Sequence, residues 1–300
     1  MNIFLTGASG FIGGTVALRL KASGHRIRGL VRSPEKAARL QALGIEPVLG
    51  DLSDTALLAQ EAKAADAVVN AASSDDRSAV DAFLDALAGS GKPFLHTSGT
   101  SVVADDARGD RASDRIYDED TPIEPVPGKA ARVAIDRLII DAAGGGLRSV
   151  VLCNSLIYGT GRGLHPDSVQ IPALVAQARQ TGIVRHVGRG RNIWSNVHVE
   201  DMAELYALAL DRAPAGAFYY VENGEASFAE AAAAIARRLG LGAPQPWPID
   251  DAIAALGFGH AVYSLGSNSR VRGRRARAEL DWSPKHASLT GWIENEMPVR

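Results

Sequence analysis

Short apolar segments alternate with helical patterns along the first half of the chain. The apolar segments have the length of strands and lie at residues 2–5, 26–31, 46–49, 67–70, 94–97 and 148–153. The helical patterns between them lie at residues 14–22, 34–43, 56–64, 78–88 and about 129–143. This alternation predicts an α/β fold with a parallel, doubly wound sheet and right-handed crossovers.

The second half of the chain is less regular. Strand patterns at 183–187 and 218–221, and a helical pattern at 201–210, are expected to rejoin the sheet. Asp201 is expected to cap that helix. Two units are therefore predicted. The first is a dinucleotide-binding domain, 1–155, rejoined by about 183–221, and the second is a smaller C-terminal substrate cap made of 156–182 and 222–300. A helix at 228–239 is expected to end at Gly240, which serves as its C-terminal cap.

The first strand pattern runs directly into a glycine-rich turn, and a helical pattern follows. Strand, glycine turn and helix together form the phosphate-binding start of a dinucleotide (Rossmann) fold. Gly7 permits the tight turn, Gly10 lets the backbone approach a pyrophosphate, and Gly13 lets the helix pack on the strand. The helix N-terminus offers free N–H groups to the anion. The predicted cofactor contacts of this segment are Gly7, Ser9, Gly10, Phe11, Ile12 and Gly13.

Composition excludes several classes of partner. The formal net charge is −2, so no attraction to nucleic acid or to a membrane surface is expected. No apolar run approaches the ~20 residues of a membrane span.

The one cysteine, Cys153, allows no disulfide within the chain, and the strand pattern begins at residue 2. We therefore expect no signal peptide and a cytoplasmic protein. The histidines show no metal-ligand spacing, so no metal is expected.

The GxxGxxG spacing and several later motifs resemble the extended and atypical short-chain dehydrogenase/reductases, an epimerase/dehydratase-like family. These motifs are Gly50-Asp51-Leu52, Val69-Asn70-Ala71-Ala72, His96-Thr97-Ser98-Gly99-Thr100, Leu156-Ile157-Tyr158-Gly159, Val197-His198-Val199-Glu200-Asp201 and Leu280-Asp281-Trp282-Ser283-Pro284. The resemblance covers nearly the whole chain. It implies a Rossmann domain, an NAD(P) cofactor, a small-molecule substrate bound under the cap, and an oxidoreductase activity. A homodimer is considered, but the sequence does not decide the oligomeric state.

The end of the second strand predicts the choice of cofactor. NAD enzymes place an acid there to hold the ribose 2′-hydroxyl. From His25 to Ser33 this chain has no acid, and Arg32 and Ser33 stand just past the strand. A guanidinium suits a 2′-phosphate, so NADP is predicted. Alternatively, Arg32 is a surface arginine stacked on the adenine.

The motif resemblance supplies the remaining cofactor contacts. It implies that Asp51 accepts a hydrogen bond from the adenine amino group and that Leu52 packs on the ring. It also places Ala71 and Ala72 at the end of the fourth strand, against the cofactor. An alternative role for Asp51 is to cap the following helix, and both roles can hold together.

The catalytic helix of the family carries a Tyr and, four residues on, a Lys. Here Gly128 and Arg132 stand at those positions, so the usual proton donor is missing. Arg132 can keep the ribose contact, although it cannot release a proton. Gly99 occupies the usual hydroxyl position, and Ser98 and Thr100 on either side of it are the candidates to contact a carbonyl. Three further residues are candidate proton donors: Tyr117, Tyr158 and His165.

Three functions are compatible with this pattern. The favoured one is an NADP-dependent oxidoreductase that transfers a hydride to or from a small carbonyl, enone or quinone. A sugar-nucleotide epimerase or dehydratase is disfavoured because such reactions begin by oxidising an alcohol, which needs the missing base. A non-catalytic NADP-sensing protein would explain the missing pair but not the retained cap and pocket motifs.

Overall fold

The computed structural model describes residues 1–299. Its strands are β1 (Asn2–Thr6), β2 (Arg26–Val31), β3 (Glu46–Leu49), β4 (Ala67–Asn70), β5 (Pro93–Gly99), β6 (Arg148–Asn154), β7 (Leu156–Tyr158), β8 (Arg185–Val187), β9 (Ile193–His198), β10 (Ala217–Val221), β11 (Glu225–Ser227) and β12 (Gln245–Trp247). Its α-helices are α1 (Phe11–Ala22), α2 (Pro34–Ala42), α3 (Thr55–Ala64), α4 (Arg77–Leu87), α5 (Ala130–Asp141), α6 (Gln170–Thr181), α7 (Val199–Arg212), α8 (Phe228–Leu239), α9 (Ile249–Leu256), α10 (Arg275–Leu280) and α11 (Leu289–Asn295).

A seven-stranded sheet forms the centre of the molecule, with the strand order β3-β2-β1-β4-β5-β6-β10. Every neighbouring pair in it is parallel. The order reverses between β1 and β4, and in such sheets ligands bind beyond the carboxyl ends of the strands at that point. The predicted α/β fold with a doubly wound Rossmann sheet is confirmed.

The buried side chains of the central strands divide between two apolar layers. In β1, Ile3 and Leu5 face one layer and Phe4 faces the other, as the two-residue period of a strand requires. Helices α1, α2 and α7 cover the first face and α3, α4 and α5 cover the second. Because both faces are buried at the centre of the sheet, β1, β4 and β6 carry consecutive apolar residues rather than an alternating pattern.

A third apolar core lies outside the sheet domain. It joins α6, α8 and α11 with the small sheets β11-β9-β7 and β12-β8. Helix α8 begins with a capping box between Ser227 and Glu230 and ends at Gly240, whose φ is +65°, as predicted. The limits of the substrate cap as a separate unit stay a prediction.

Two local predictions were wrong. The segment 183–187 was expected to rejoin the central sheet, but β8 pairs in parallel with β12, and Val187 packs in the third core. Strand β10 alone extends the central sheet at that end, beside β6. The N-terminus of α7 was expected to be capped by Asp201. Instead, His198 caps it by accepting from the Glu200 amide.

The polar segment before α5 is anchored to the C-terminal part of the chain. Tyr117 exchanges backbone hydrogen bonds with residues on either side of Val271. The amide of Asn268 donates to Asp105 at 2.8 Å. Among residues 1–299, no helix combines the length and the apolar character needed to cross a bilayer.

Candidate functional site

A cleft of about 560 Å³ lies over the carboxyl ends of β1 to β4. Eight of the predicted cofactor contacts line it: Gly7, Ser9, Gly10, Arg32, Asp51, Leu52, Ala71 and Ala72. The other four support its walls. Ser33 caps α2 by accepting from the Lys36 amide, whereas Phe11 and Ile12 pack against the first apolar layer. Gly13 lies behind the turn.

The glycine turn requires its glycines at defined positions. Gly7 has a φ of +74°, and a Cβ there would lie 2.5 Å from the carbonyl oxygen of Ala71. A Cβ on Gly13 would collide with the carbonyl oxygen of Gly7. These contacts show that Gly7 lets β1 turn beside β4 and that Gly13 lets α1 approach the turn.

The N-terminus of α1 is free to receive an anion. Gly10 stands at the N-cap with extended backbone, no side chain caps the helix, and its first turn contains no acid. A Cβ on Gly10 would lie 3.2 Å from the Gly7 carbonyl oxygen, so the turn leaves little room for a side chain. Unpaired N–H groups at a helix start suit a pyrophosphate. The donor set and the bare glycine surface therefore fit a dinucleotide.

Two cations stand at the adenosine end of the cleft. Arg32, just past β2, is exposed, and Lys36, in the first turns of α2, lines the same wall. The sequence analysis missed Lys36, although its place one turn beyond the capping residue Ser33 was a usable signal. Together the two side chains place positive charge on this wall of the cleft.

Asp51 is held in a local turn at the same end. Its Oδ1 accepts hydrogen bonds from the amide of Ser53, at 2.8 Å, and from its hydroxyl, at 2.5 Å. These bonds, with a contribution from Arg32, lower the pKa of Asp51. Asp54 is the residue that caps α3, accepting from the Leu57 amide. The alternative role of Asp51 as that cap is therefore wrong.

Arg132 lies beyond β4 and β5, on the opposite side of β1 from β2 and β3. Its Nε donates to Oδ1 of Asp75 at 2.7 Å, and its Nη2 pairs with the second carboxylate oxygen. Its Nη1 donates to Oγ of Ser101 at 3.0 Å. Arg132 lowers the pKa of Asp75 through these bonds. The five guanidinium N–H groups leave two for another ligand, so the ribose contact of Arg132 stays a prediction.

The two hydroxyls proposed to contact substrate are buried and already bonded. Ser98 Oγ donates to Oδ2 of Asp136 at 2.7 Å. Thr100 has no exposed surface, and its hydroxyl lies 2.8 Å from that of Ser269. Both hydroxyls therefore already have hydrogen-bond partners within the protein. Ser101, which accepts a hydrogen bond from Arg132, is a candidate to contact substrate that was not predicted from the sequence.

The three alternative proton donors lie in three different parts of the molecule. The ring of Tyr117 packs in the second apolar layer. The buried hydroxyl of Tyr158 donates to the carbonyl of His286 at 3.1 Å, and burial raises the pKa of Tyr158. His165 lines the cofactor cleft near the glycine turn.

Three potential metal ligands, His198, Glu200 and His286, meet in space although they are separated in sequence. The two imidazole rings are stacked, with centroids 3.8 Å apart and an interplanar angle of 22°. In-plane lone pairs of stacked rings do not converge on one point, and Nδ1 of His198 already caps α7. The group therefore stabilises the start of α7.

Comparison with known proteins identifies the family. The family model "NAD dependent epimerase/dehydratase family" matches residues 3–221, more than half of the chain. The chain belongs to this family. Its relatives include the oxidase ucsJ of Acremonium sp, which is 30% identical over 332 residues, covering 98% of this chain and 95% of that protein. Family membership and the oxidoreductase names of its relatives make the chain an NAD(P)-dependent oxidoreductase.

Two further likenesses concern a reductase and a solved structure. A 4-hydroxy-2-methyl-3-oxo-4-farnesyl-3,4-dihydroquinoline-1-oxide ketoreductase of Stigmatella aurantiaca is 30% identical over 240 residues, covering 75% of this chain and 69% of that protein. The dTDP-glucose 4,6-dehydratase of Bacillus anthracis, solved in complex with NAD, superposes with a TM-score of 0.78 at 20% identity, covering 98% of this chain and 94% of that chain. The second likeness shows the fold alone.

Proposed function

We propose that the chain is an NADP-dependent oxidoreductase that transfers a hydride to or from a small carbonyl, enone or quinone. The observation that carries the choice of NADP is the pair of cations, Arg32 and Lys36, on the adenosine wall of the cleft, with no acid at the end of β2. A 2′-phosphate gains charge-assisted hydrogen bonds there, whereas a 2′-hydroxyl gains less. This preference separates the chain from the dehydratase solved with NAD.

The position of the cofactor follows from the sheet edge. Its adenosine would lie beyond β2 and β3, its pyrophosphate at Gly7 to Gly10, and its nicotinamide beyond β4 and β5, near Arg132. Bound there, the cofactor supplies or accepts the hydride. The residues of the chain bind and orient it, and Arg132 holds positive charge beside the site of reaction.

The substrate class rests on chemistry and on one relative. Hydride addition to a quinone or enone yields a stabilised anion, so such substrates depend least on a strong proton donor, whereas simple ketones depend most. The Stigmatella relative is a ketoreductase named for a substrate that joins a ketone to a conjugated ring. This supports carbonyl compounds attached to conjugated systems as the first substrates to test.

Titration calorimetry with NADP and NAD tests the cofactor choice, and NADPH oxidation over a panel of ketones, enones and quinones tests the reaction. Tighter NADP binding and turnover of at least one class support the proposal. Equal affinity for the two cofactors would contradict the NADP preference. Tight NADP binding without turnover of any class would favour the non-catalytic sensor.

A further inference from the structure

The start of α5 faces a side chain from far along the sequence. Residues Pro127–Lys129 form a short 3₁₀ turn before α5, and a π-helical turn at Gly259–Leu265 packs across it. A Cβ on Gly128 would lie 2.9 Å from the hydroxyl oxygen of Tyr263 and 3.1 Å from its ring. Tyr263 thus occupies the space that a side chain at Gly128 would enter. The absence of a side chain at Gly128 makes that contact possible.

Tyr263 is anchored through its ring and free at its hydroxyl. The ring meets Phe258 edge-on, with centroids 5.6 Å apart, and Nζ of Lys129 lies 5.1 Å from its centroid. Tyr263 is partly exposed, and within residues 1–299 its hydroxyl makes no hydrogen bond. A π-helical turn is uncommon and is frequent at functional sites.

Two cations follow Gly128 at the start of α5. Lys129 is adjacent to Gly128 in the chain, and Arg132 follows one helical turn later, on the same side of α5. Burial, together with Arg132, lowers the pKa of Lys129. Lys129 thus places positive charge 5.1 Å from the centre of the Tyr263 ring.

The cluster lies on the functional edge of the sheet. Arg132 is bonded to Asp75, which follows β4, and to Ser101, which follows β5. Ala71 and Ala72, at the end of β4, line the cofactor cleft. A dinucleotide that runs from Arg32 across the glycine turn therefore points its nicotinamide end toward the start of α5.

We propose that Tyr263 is the proton donor of the reaction, with Lys129 as its neighbouring cation. This inference rests on the proposed function. In reduction, the substrate carbon accepts hydride from the reduced cofactor, and the electron pair of the C=O bond passes to oxygen. The oxygen takes the proton of the Tyr263 hydroxyl, and the phenolate regains a proton from water. Oxidation of the alcohol follows the reverse path.

The first test is Tyr263→Phe, which keeps the ring and removes only the hydroxyl. Turnover of a simple ketone should fall about 10²–10⁴-fold, and turnover of a quinone should fall less, because its product anion is stabilised. Affinity for NADP should not change. The matched control is Tyr219→Phe, which removes a hydroxyl that is bonded to Glu279 on the central domain.

A binding measurement separates the proton donor from a merely structural tyrosine. The protein loaded with oxidised NADP binds a ketone without reacting, and titration calorimetry measures that affinity. Loss of one hydrogen bond in Tyr263→Phe should weaken ketone binding about 2- to 12-fold. A residue that only packs against Gly128 would leave this affinity unchanged once circular dichroism shows a native fold.

A transplanted tyrosine gives the second test. The backbone of Gly128 is not left-handed, so a side chain is allowed there once Tyr263 makes room. Tyr263→Ala should lose ketone turnover, and Gly128→Tyr combined with Tyr263→Ala should recover part of it. Gly128→Tyr alone should not raise turnover above that of the wild type, because its Cβ would meet the Tyr263 hydroxyl.

The outcomes distinguish this inference from the proposed function. Wild-type turnover that survives in Tyr263→Phe, together with unchanged ketone affinity, would overturn the role of Tyr263 and leave the oxidoreductase proposal standing. A wild-type protein that binds NADP but turns over no ketone, enone or quinone would overturn both.

Discussion

Replacement of the Asp136 carboxyl by an amide should change how the stability of the protein depends on pH. Asp136 lies in α5 with 3% of its surface exposed, and its Oδ2 accepts from the Ser98 hydroxyl. Its Oδ1 is buried without a hydrogen-bond partner in the described chain. Burial raises the pKa of Asp136 to about 7, although the Ser98 hydrogen bond and Arg132 act in the opposite direction.

The direction and size of the effect follow from this pKa. Below about pH 4 the carboxyl is protonated in both states and costs nothing. Between the ordinary value of 3.8 and about 7, the unfolded chain releases the proton and the folded chain keeps it, so the free energy of unfolding falls as pH rises. Above about 7 the loss is complete. At about 1.4 kcal/mol per pKa unit it amounts to about 4 kcal/mol as an upper bound.

Urea unfolding of the wild type and Asp136→Asn between about pH 4.5 and pH 8 measures this effect. The stability of the variant relative to the wild type should rise across that range. Taking the difference cancels the titration of the carboxyls that do not interact with Asp136. Asp141→Asn, an exposed change in the same helix, is the control. A wild-type to Asp136→Asn difference that is constant with pH would refute the reasoning, because it would show that the carboxyl titrates alike in both states.

Three predictions concern the cofactor. Gly10→Val should abolish NADP binding in calorimetry while the thermal unfolding transition persists, because the new side chain enters the surface that contacts the pyrophosphate. The control is Gly242→Val, where the new side chain points into open space. Native NADP affinity in Gly10→Val would contradict the assignment of the pyrophosphate site. Arg32→Ala and Lys36→Ala should each weaken NADP binding by about 1.5–3 kcal/mol at most and NAD binding less, and an unchanged preference would contradict the 2′-phosphate assignment. Arg132→Ala should weaken cofactor binding and slow turnover, and Arg132→Lys should restore part of the binding. Equal cofactor affinity in the wild type and both variants would contradict the proposed contact of Arg132 with the ribose.

The elements that the sequence predicted well are those defined by local pattern. Strand β4 and helix α8 lie at the predicted residues, because a short apolar run and a capped amphipathic helix depend only on near neighbours. The glycine turn was predictable for the same reason, since Gly7, Gly10 and Gly13 act within one strand-turn-helix unit. Lys36 was also within reach, because it lies in the helix that Ser33 caps.

Features that depend on distant contacts could not be predicted in this way. Strand β8 has three residues, and whether it joins the central sheet or pairs with β12 depends on which partner it meets in the folded chain. His198, not Asp201, caps α7, because the Asp201 carboxylate accepts a hydrogen bond from the His286 amide and pairs with the His286 ring. A pattern read along the sequence carries no information about such partners.

The missing tyrosine illustrates this limit at the candidate site. Along α5 the sequence shows only that Gly128 and Arg132 replace two working residues, and this favours a loss of activity as much as a change of mechanism. In the folded chain the glycine admits Tyr263, and the arginine holds Asp75 and Ser101 at the ends of two neighbouring strands. A protein that only sensed NADP would need the cations at the adenosine end. It would have no use for a phenol hydroxyl that lies against Gly128 with no hydrogen bond in residues 1–299, and that hydroxyl is the feature that favours catalysis over sensing.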